Sequence, residues 1–268
     1  MNISFIGGGN MATALIGGIL GADSSHAIRV SDPSSHVRAR LSQDFGIECH
    51  ESAAPVVEGT DIIVLATKPQ VMNAVLEELA ALVRPGMLVI SIAAGIPLSR
   101  IVGSLPARPP TIRAMPNTPA LIGEGISGLC ASDECTPEHR RMAEQVLAGA
   151  GPCIWIDDET LMDVVTAVSG SGPAYFFLLI EALADAGQRS GLPAEASATL
   201  AVHTAYGAGA MARASEHDAA ELRRRVTSPG GTTEAALKVL ETDGFKESIE
   251  RAVNAATQRG RELAEASS

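Results

Sequence analysis

The sequence predicts an α/β protein in which a Rossmann-like, doubly wound sheet domain is followed by an all-helical C-terminal domain. Short β-branched runs alternate with helical stretches of about 10–15 residues through the first half, which is typical of βαβ units. A glycine-rich turn joins the first strand to the first helix. Strand-like runs almost cease after residue 157, so we divide the chain into domains 1–158 and 159–268.

The strands expected in the first domain are short and rich in Ile and Val. The run DIIVLA at 61–66 is apolar throughout, which suits a parallel strand covered on both faces. Pro69 is expected to open a helix, where its missing N–H costs nothing. The expected strands are 3–6, 27–31, 61–66, 87–92, 111–115, 126–131 and 153–156, and the expected helices are 11–20, 34–44, 70–83 and 137–148.

Composition and charge exclude several classes of function. The formal net charge of −11 argues against a nucleic-acid surface, and the one dense basic run, Arg223 to Arg225, suits a solvated helix face. There is neither an unbroken apolar run of about 18 residues nor a basic N-terminal signal region, so we expect a cytoplasmic protein without a membrane span. The four cysteines lack metal-ligand spacing, which favours reduced thiols and no metal site.

The first candidate site is the pattern Gly7-x-Gly9-x-x-Ala12 between a strand and a helix. The first glycine permits a tight turn, the second lets a pyrophosphate approach the backbone, and Ala12 permits close packing. The helix N-terminus offers free N–H groups to an anion. This context favours NAD(P)H binding over a glycine-rich turn without a ligand.

Asp32 follows the second strand, 23 residues after Gly9, where an acid can bind the ribose of NAD and would repel the extra phosphate of NADP. An Asp-Pro turn or helix cap explains it equally well. Ser31, Ser34, Ser35 and Arg38 crowd the same corner and could hold a 2′-phosphate. The choice between NADPH and NADH therefore stays open.

Two further segments follow expected strands, at the edge where this fold places ligands. They are Ala66 to Pro69 and Ala93 to Gly95. Lys68 is one of only three lysines in the chain. It is either a cofactor contact or an exposed loop lysine.

The chain resembles the pyrroline-5-carboxylate reductase family along essentially its whole length. The segments that carry the resemblance are FIGGGNMA (5–12), ATKPQ (66–70), RAMPNTPA (113–120), SGSGPAYFF (169–177) and VTSPGGTTEAAL (226–237). The resemblance implies a helical domain that dimerises by intertwining, dimers that assemble further into rings, and NADPH- or NADH-dependent reduction of 1-pyrroline-5-carboxylate to L-proline, the last step of proline biosynthesis.

The resemblance also implies roles for individual residues. The pyrophosphate cradle is Ile6, Gly7, Gly8, Gly9, Asn10 and Met11; the nicotinamide side is lined by Ala66, Thr67, Lys68, Pro69, Ala93, Ala94 and Gly95; and the substrate site holds Gly230, Gly231, Thr232, Thr233 and Glu216. Thr232 stands where the family often has Ala. Asp32 stands where the family often has Ser, Asn or Arg, which leaves NADP preference unresolved.

The residues of the 228–233 loop are chemically consistent with this assignment. A Pro-Gly-Gly turn that leads into a helix brings successive N–H groups together in a nest for a carboxylate. Thr232 and Thr233 supply hydroxyls to a ligand or act as helix caps. We expect Thr233 to be catalytic by fixing the imine over the nicotinamide, and because a protonated iminium is already electrophilic, no dedicated acid is required.

Two other functions fit the same architecture. A β-hydroxyacid dehydrogenase normally needs a lysine base on the first helix of its second domain, and the stretch after Gly172, PAYFFLLIEALADAG, contains none. A dinucleotide-binding sensor without turnover would retain only the cofactor site. Oxidation of NAD(P)H on addition of the imine distinguishes an enzyme from a sensor.

Overall fold

The computed structural model describes residues 1–23 and 25–266. Its eight strands form one sheet in the order β3-β2-β1-β4-β5-β6-β7-β8. The strands are β1 (Asn2–Ile6), β2 (Ala27–Ser31), β3 (Glu48–His50), β4 (Ile62–Leu65), β5 (Leu88–Ser91), β6 (Thr111–Met115), β7 (Ser127–Ala131) and β8 (Cys153–Trp155). The β6–β7 pair is antiparallel, and the other pairs are parallel.

Helices cover both faces of this sheet. They are α1 (Asn10–Ala22), α2 (Ser35–Phe45), α3 (Ala54–Val57), α4 (Met72–Leu79), α5 (Leu98–Ser104), α6 (Pro137–Leu147) and α7 (Met162–Val165). Ser34 caps α2 by accepting a hydrogen bond from the Val37 amide, as its serine-rich start predicts. Gly46 ends α2 in the left-handed conformation.

The buried strands divide their side chains between two cores. In β4, Ile62 and Val64 belong to the core on one face, whereas Ile63 and Leu65 belong to the core on the other. Successive side chains of a strand point to opposite faces, so a strand that is apolar throughout is buried on both. The prediction from DIIVLA is therefore confirmed.

The Rossmann-like fold class is confirmed, and the differences from the expected elements are local. The sequence interpretation omitted β3, α3 and α5, which span only 3 to 7 residues. The helix expected at 70–83 is shorter, because a 3₁₀ turn at Pro69–Val71 precedes α4 and α4 ends at Leu79.

Contacts between Cα atoms separate the chain into two compact units. One comprises residues 1–171 together with the C-terminal segment from Ala255, and the other comprises Gly172–Asn254. The division at residue 158 concerns functional domains and stays a prediction. The helices of the second half are α8 (Gly172–Arg189), α9 (Ala194–Ala214), α10 (Ala219–Arg225), α11 (Thr232–Thr242) and α12 (Phe245–Ala266).

The second unit exposes large apolar side chains. Phe176, Phe177 and Leu178, three successive residues of α8, are each about two-thirds exposed, at 65%, 65% and 66%. The helical stretch Glu159–Arg189 is also long and apolar enough, by length and composition, to cross a membrane. Helices that pack against another protein chain share both properties, so this stretch alone does not indicate a membrane.

Candidate functional site

The ends of β1, β4 and β5 bring three predicted cofactor segments together. Ile6 pairs with Leu65, and Leu65 pairs with Ser91. The ladder continues past the strands, since the Ala66 amide donates to the Ile6 carbonyl at 2.8 Å. The chain leaves β1 for β2 on one side and reaches β4 on the other, so this edge is the topological switch point where parallel sheets bind ligands.

The glycine-rich turn is shaped by contacts that side chains would prevent. Gly7 has φ +100°, and a Cβ there would lie 2.7 Å from the Ala66 carbonyl oxygen. A Cβ on Gly8 would lie 2.7 Å from a methyl carbon of Val37. A Cβ on Gly9 would meet nothing within 4 Å. Gly9 therefore borders open space at the N-terminus of α1. A diphosphate could approach the backbone amides there.

Asp32 ties this turn to the end of β2. One carboxylate oxygen accepts from the Gly8 amide at 2.8 Å, and the other accepts from the Ser34 amide at 2.9 Å. Asp32 therefore stabilises the turn, which is one of the two roles that the sequence allows. Asp32 is also partly exposed. Because a carboxylate oxygen can accept more than one hydrogen bond, Asp32 retains acceptor capacity for a ribose hydroxyl.

Two buried side-chain polar atoms have no hydrogen-bond partner in the described part of the chain, and both flank the glycine-rich turn. One is Thr67 Oγ1, and the other is Arg40 Nε. Thr67 is a predicted cofactor residue. Buried polar atoms are almost always hydrogen-bonded, so orphaned atoms at such an edge fit a bound polar ligand.

The other residues predicted on the nicotinamide side differ in exposure. Lys68 and Ala94 are exposed, whereas Ala93 and Gly95 are buried. Gly95 has φ +72°, and a Cβ there would lie 3.6 Å from the Ala264 amide nitrogen of α12. The positive φ and the close packing explain why position 95 is a glycine. Lys68 forms no ion pair with any described residue.

The second candidate site is the loop that leads into α11. Gly231 is the N-cap of this helix and Gly230 has φ +69°. The Gly230 amide donates to Glu234 Oε2 at 2.7 Å, and the Gly231 amide donates to the Ser228 carbonyl at 3.0 Å. The amides with no intrahelical partner are those of the first turn, beginning with Thr232 and Thr233. In the predicted carboxylate nest, the Gly230 and Gly231 amides are therefore already hydrogen-bonded, and the first-turn amides remain as donors.

Neither threonine hydroxyl caps α11, because the N-cap is Gly231 and no side-chain cap bond is present. Within the described residues, neither hydroxyl makes a hydrogen bond, so both are available to a ligand. An open cavity of about 700 Å³ adjoins the loop on the side of Gly230, Gly231 and Lys238, and neither threonine lines it.

Charged residues near this loop are mostly paired. Arg223 lies 3.6 Å from Glu241, and Arg224 and Arg225 both contact Glu221. The basic run thus lies on a solvated helix face, as its sequence suggests. Glu216 lies in the exposed segment between α9 and α10. No described hydrogen bond or ion pair joins it to the 228–233 loop.

The cysteines are free thiols. Burial, reinforced by the negative charge of Glu144, raises the pKa of Cys153 to about 11. Burial likewise raises the pKa of Cys49, Cys130 and Cys135. These thiols are protonated at neutral pH and poorly nucleophilic. No group of three or more His, Cys, Asp or Glu side chains in the described ranges could hold a metal ion.

A glycine-rich turn at the switch point of a parallel sheet defines the class of dinucleotide-binding Rossmann proteins. Residues 2–95 match the family model described as NADP oxidoreductase coenzyme F420-dependent, and residues 159–263 match the model for pyrroline-5-carboxylate reductase dimerisation. The pyrroline-5-carboxylate reductase of Pseudomonas aeruginosa is 50% identical over 98% of this chain and 97% of its own length. The chain therefore belongs to the pyrroline-5-carboxylate reductase family.

Solved structures agree with this membership. A pyrroline-5-carboxylate reductase from Coxiella burnetii superposes with a TM-score of 0.94 at 37% identity, covering 98% of each chain. The pyrroline carboxylate reductase of Plasmodium falciparum, solved with NADP bound, superposes with a TM-score of 0.85 at 30% identity, also covering 98% of each chain.

Proposed function

We propose that this chain reduces 1-pyrroline-5-carboxylate to L-proline with NADPH or NADH in the cytoplasm. Full-length membership of the family carries this proposal. The open space beside Gly9 and the threonine hydroxyls without a hydrogen bond in the described chain support it, because a sensor without turnover would need only the cofactor site. The absence of lysine from α8 favours it over a β-hydroxyacid dehydrogenase.

The dinucleotide occupies the switch-point edge in this proposal. The turn Ile6 to Met11 holds the diphosphate with backbone amides and the positive end of α1. Asp32 accepts a hydrogen bond from the adenosine ribose. The nicotinamide side is lined by Ala66 to Pro69 and by Ala93 to Gly95. When bound, the dihydronicotinamide supplies a hydride to the imine carbon.

The substrate carboxylate binds at the start of α11. Gly230 and Gly231 shape the turn, and the Thr232 and Thr233 amides donate to the carboxylate. The Thr233 hydroxyl oxygen orients the ring by accepting a hydrogen bond from the ring nitrogen, which solvent keeps protonated. Glu216 contributes to the same site. The protein therefore acts chiefly by alignment and electrostatics.

The proposed assembly is a homodimer made through residues 159–268, with further association into a ring. The two functional domains are 1–158 and 159–268. The exposed apolar side chains of α8 support a dimer, since monomers rarely leave so much contiguous apolar surface in water.

Steady-state NAD(P)H oxidation with 1-pyrroline-5-carboxylate and with its six-membered analogue tests this function. Thr233→Ala is expected to lower kcat/KM for the imine by about 10²-fold, because a misaligned substrate reacts slowly. The dissociation constant for NADPH is expected to stay unchanged. Thr233→Ser retains the hydroxyl and most of the activity.

Thr242→Ala, at the other end of α11, is the matched control and is expected to behave as wild type. Tight dinucleotide binding by wild type without turnover on either imine would contradict the enzymatic function. Full activity of Thr233→Ala would contradict the role of Thr233 alone.

A further inference from the structure

Arg40 approaches the glycine-rich turn from α2, although no sequence motif marks it. Its Nη2 donates to the Gly8 carbonyl at 3.3 Å and to Thr13 Oγ1 at 3.1 Å. Its Nε is buried without a partner. The contact is fixed by packing, since Val37 and Leu41 of the same helix lie directly against Gly8.

The charge of Arg40 is not balanced within the described chain. No carboxylate of a described residue lies within ion-pair distance of its guanidinium. Thr13 belongs to the first turn of α1, which carries no acidic residue and no side-chain cap. A cation beside the positive end of a helix is unfavourable unless an anion joins them. In a chain of net charge −11, this concentration of positive charge is local and specific.

We propose that Arg40 is a positioning residue for the dinucleotide diphosphate, which it stabilises by its charge and by holding the Gly8 carbonyl and Thr13 in place. This inference rests on the proposed function, in which Ile6 to Met11 cradle that diphosphate. The contacts favour the diphosphate over the 2′-phosphate of NADP, because Gly8 and Thr13 belong to the turn and to the first turn of α1.

The corner that would face a 2′-phosphate is occupied by a different arginine, Arg38. Arg38 donates to the carbonyls of Asp32 and Pro33, and it lies 3.9 Å from a Glu51 carboxylate oxygen. Its charge is thus partly balanced. Arg40, in contrast, has no ion-pair partner among the described residues, and its Nε atom is buried beside the turn.

The test compares Arg40→Gln with Arg29→Gln. Arg29 is a matched control, since it is also partly exposed and donates to two backbone carbonyls, those of Pro55 and Glu58, but lies within β2 rather than at the glycine-rich turn. Dissociation constants of NADH, NADPH and ADP-ribose are measured by titration calorimetry at low and high salt. Thermal midpoints are measured with and without each ligand.

Arg40→Gln is expected to weaken NADH, NADPH and ADP-ribose by similar factors of about 5- to 30-fold, as for loss of a charge-assisted contact. The salt dependence of binding should fall with it. Arg40→Lys retains the charge and should recover part of the affinity. The midpoint without ligand should change no more than it does in Arg29→Gln, because each arginine donates to two acceptors in the ligand-free protein.

Three results would overturn this role. Loss confined to NADPH would assign Arg40 to the 2′-phosphate. A lower midpoint without ligand, with unchanged dissociation constants, would make Arg40 structural. If Arg40→Gln and Arg29→Gln bound the three ligands with equal affinity, Arg40 would have no specific role in cofactor binding. Failure of the wild-type protein to bind any dinucleotide would instead contradict the proposed function.

Discussion

Asp32 illustrates how one side chain serves both the fold and the cofactor. Its carboxylate accepts from the amides of Gly8 and Ser34, so it holds the turn that the diphosphate requires. Its negative charge also faces the position of a 2′-phosphate in the proposed complex. Removing the carboxylate should therefore loosen the turn for both cofactors while relieving repulsion of only one.

Asp32→Ser is expected to shift the ratio of kcat/KM for NADPH over NADH by about tenfold toward NADPH, as loss of one short-range repulsion between charges implies. The kcat/KM for NADH itself should fall. Steady-state kinetics with both cofactors measures the ratio. Asp44→Ser removes an exposed acid from the end of α2 and should leave the ratio unchanged, and an unchanged ratio in Asp32→Ser would exclude the proposed ribose contact.

Residue-level prediction from sequence succeeded where a motif fixes backbone geometry. The positive φ of Gly7 and Gly230 follows from turns that only glycine adopts without strain. The engagement of the Gly230 amide by Glu234 was not predicted, because it depends on a side-chain rotamer. The contact of Arg40 with Gly8 was not predicted for a similar reason, since a single basic residue on a helix resembles any solvated one.

At the scale of elements, a buried ion cluster joins β6 to the helical turns that follow the sheet. Arg113 lies in the RAMPNTPA segment, and its side chain is only 6% exposed. It contacts Glu159 at 3.2 Å and Asp163 at 3.1 Å. Glu159 also accepts from the Leu98 amide at the start of α5. One arginine thus links three elements that are distant in sequence.

Arg113→Ala is expected to reduce the free energy of unfolding by about 3–5 kcal/mol, because it leaves two acids partly buried without their cation. Urea denaturation at fixed protein concentration measures the loss. Arg141→Ala removes an arginine whose pair with Glu138 is exposed on both sides, so it should cost less than about 1 kcal/mol. Equal losses in the two variants would show that the cluster contributes no more than a surface pair.

The elements themselves were predicted according to their length and burial. The apolar pattern identifies β4 and β5, which lie in the sheet centre. It does not identify β3, whose Glu48 is exposed and whose Cys49 and His50 are only partly buried. The antiparallel direction of β7 also cannot be read from its composition, because both directions accept the same buried side chains.

At the scale of the whole molecule, the two units differ in how much apolar surface they leave exposed. The sheet unit buries β4 and β5 entirely, whereas α8 exposes Phe176, Phe177 and Leu178 in succession. Successive positions differ by about 100° around a helix, so these three cover more than one face. One flat contact could therefore not cover all three side chains.

Dimer formation should therefore contribute directly to the stability of the helical unit. The thermal midpoint of the wild-type protein is expected to rise with protein concentration, because association stabilises only the folded form. Sedimentation velocity over the same concentrations reports the mass. A midpoint that is independent of concentration across the range where the mass changes would contradict this coupling.

Phe177→Glu is expected to convert the dimer to a monomer and to lower the thermal midpoint, since it places a charge in a desolvated apolar contact. Gln188→Glu adds the same charge near the polar end of α8 and should keep both the dimer and the midpoint. Dinucleotide binding by the sheet unit should survive in Phe177→Glu, because its strands and turn are built from local residues. A Phe177→Glu protein that remained a dimer with an unchanged midpoint would mean that the apolar face of α8 is covered by something other than a second copy of this chain.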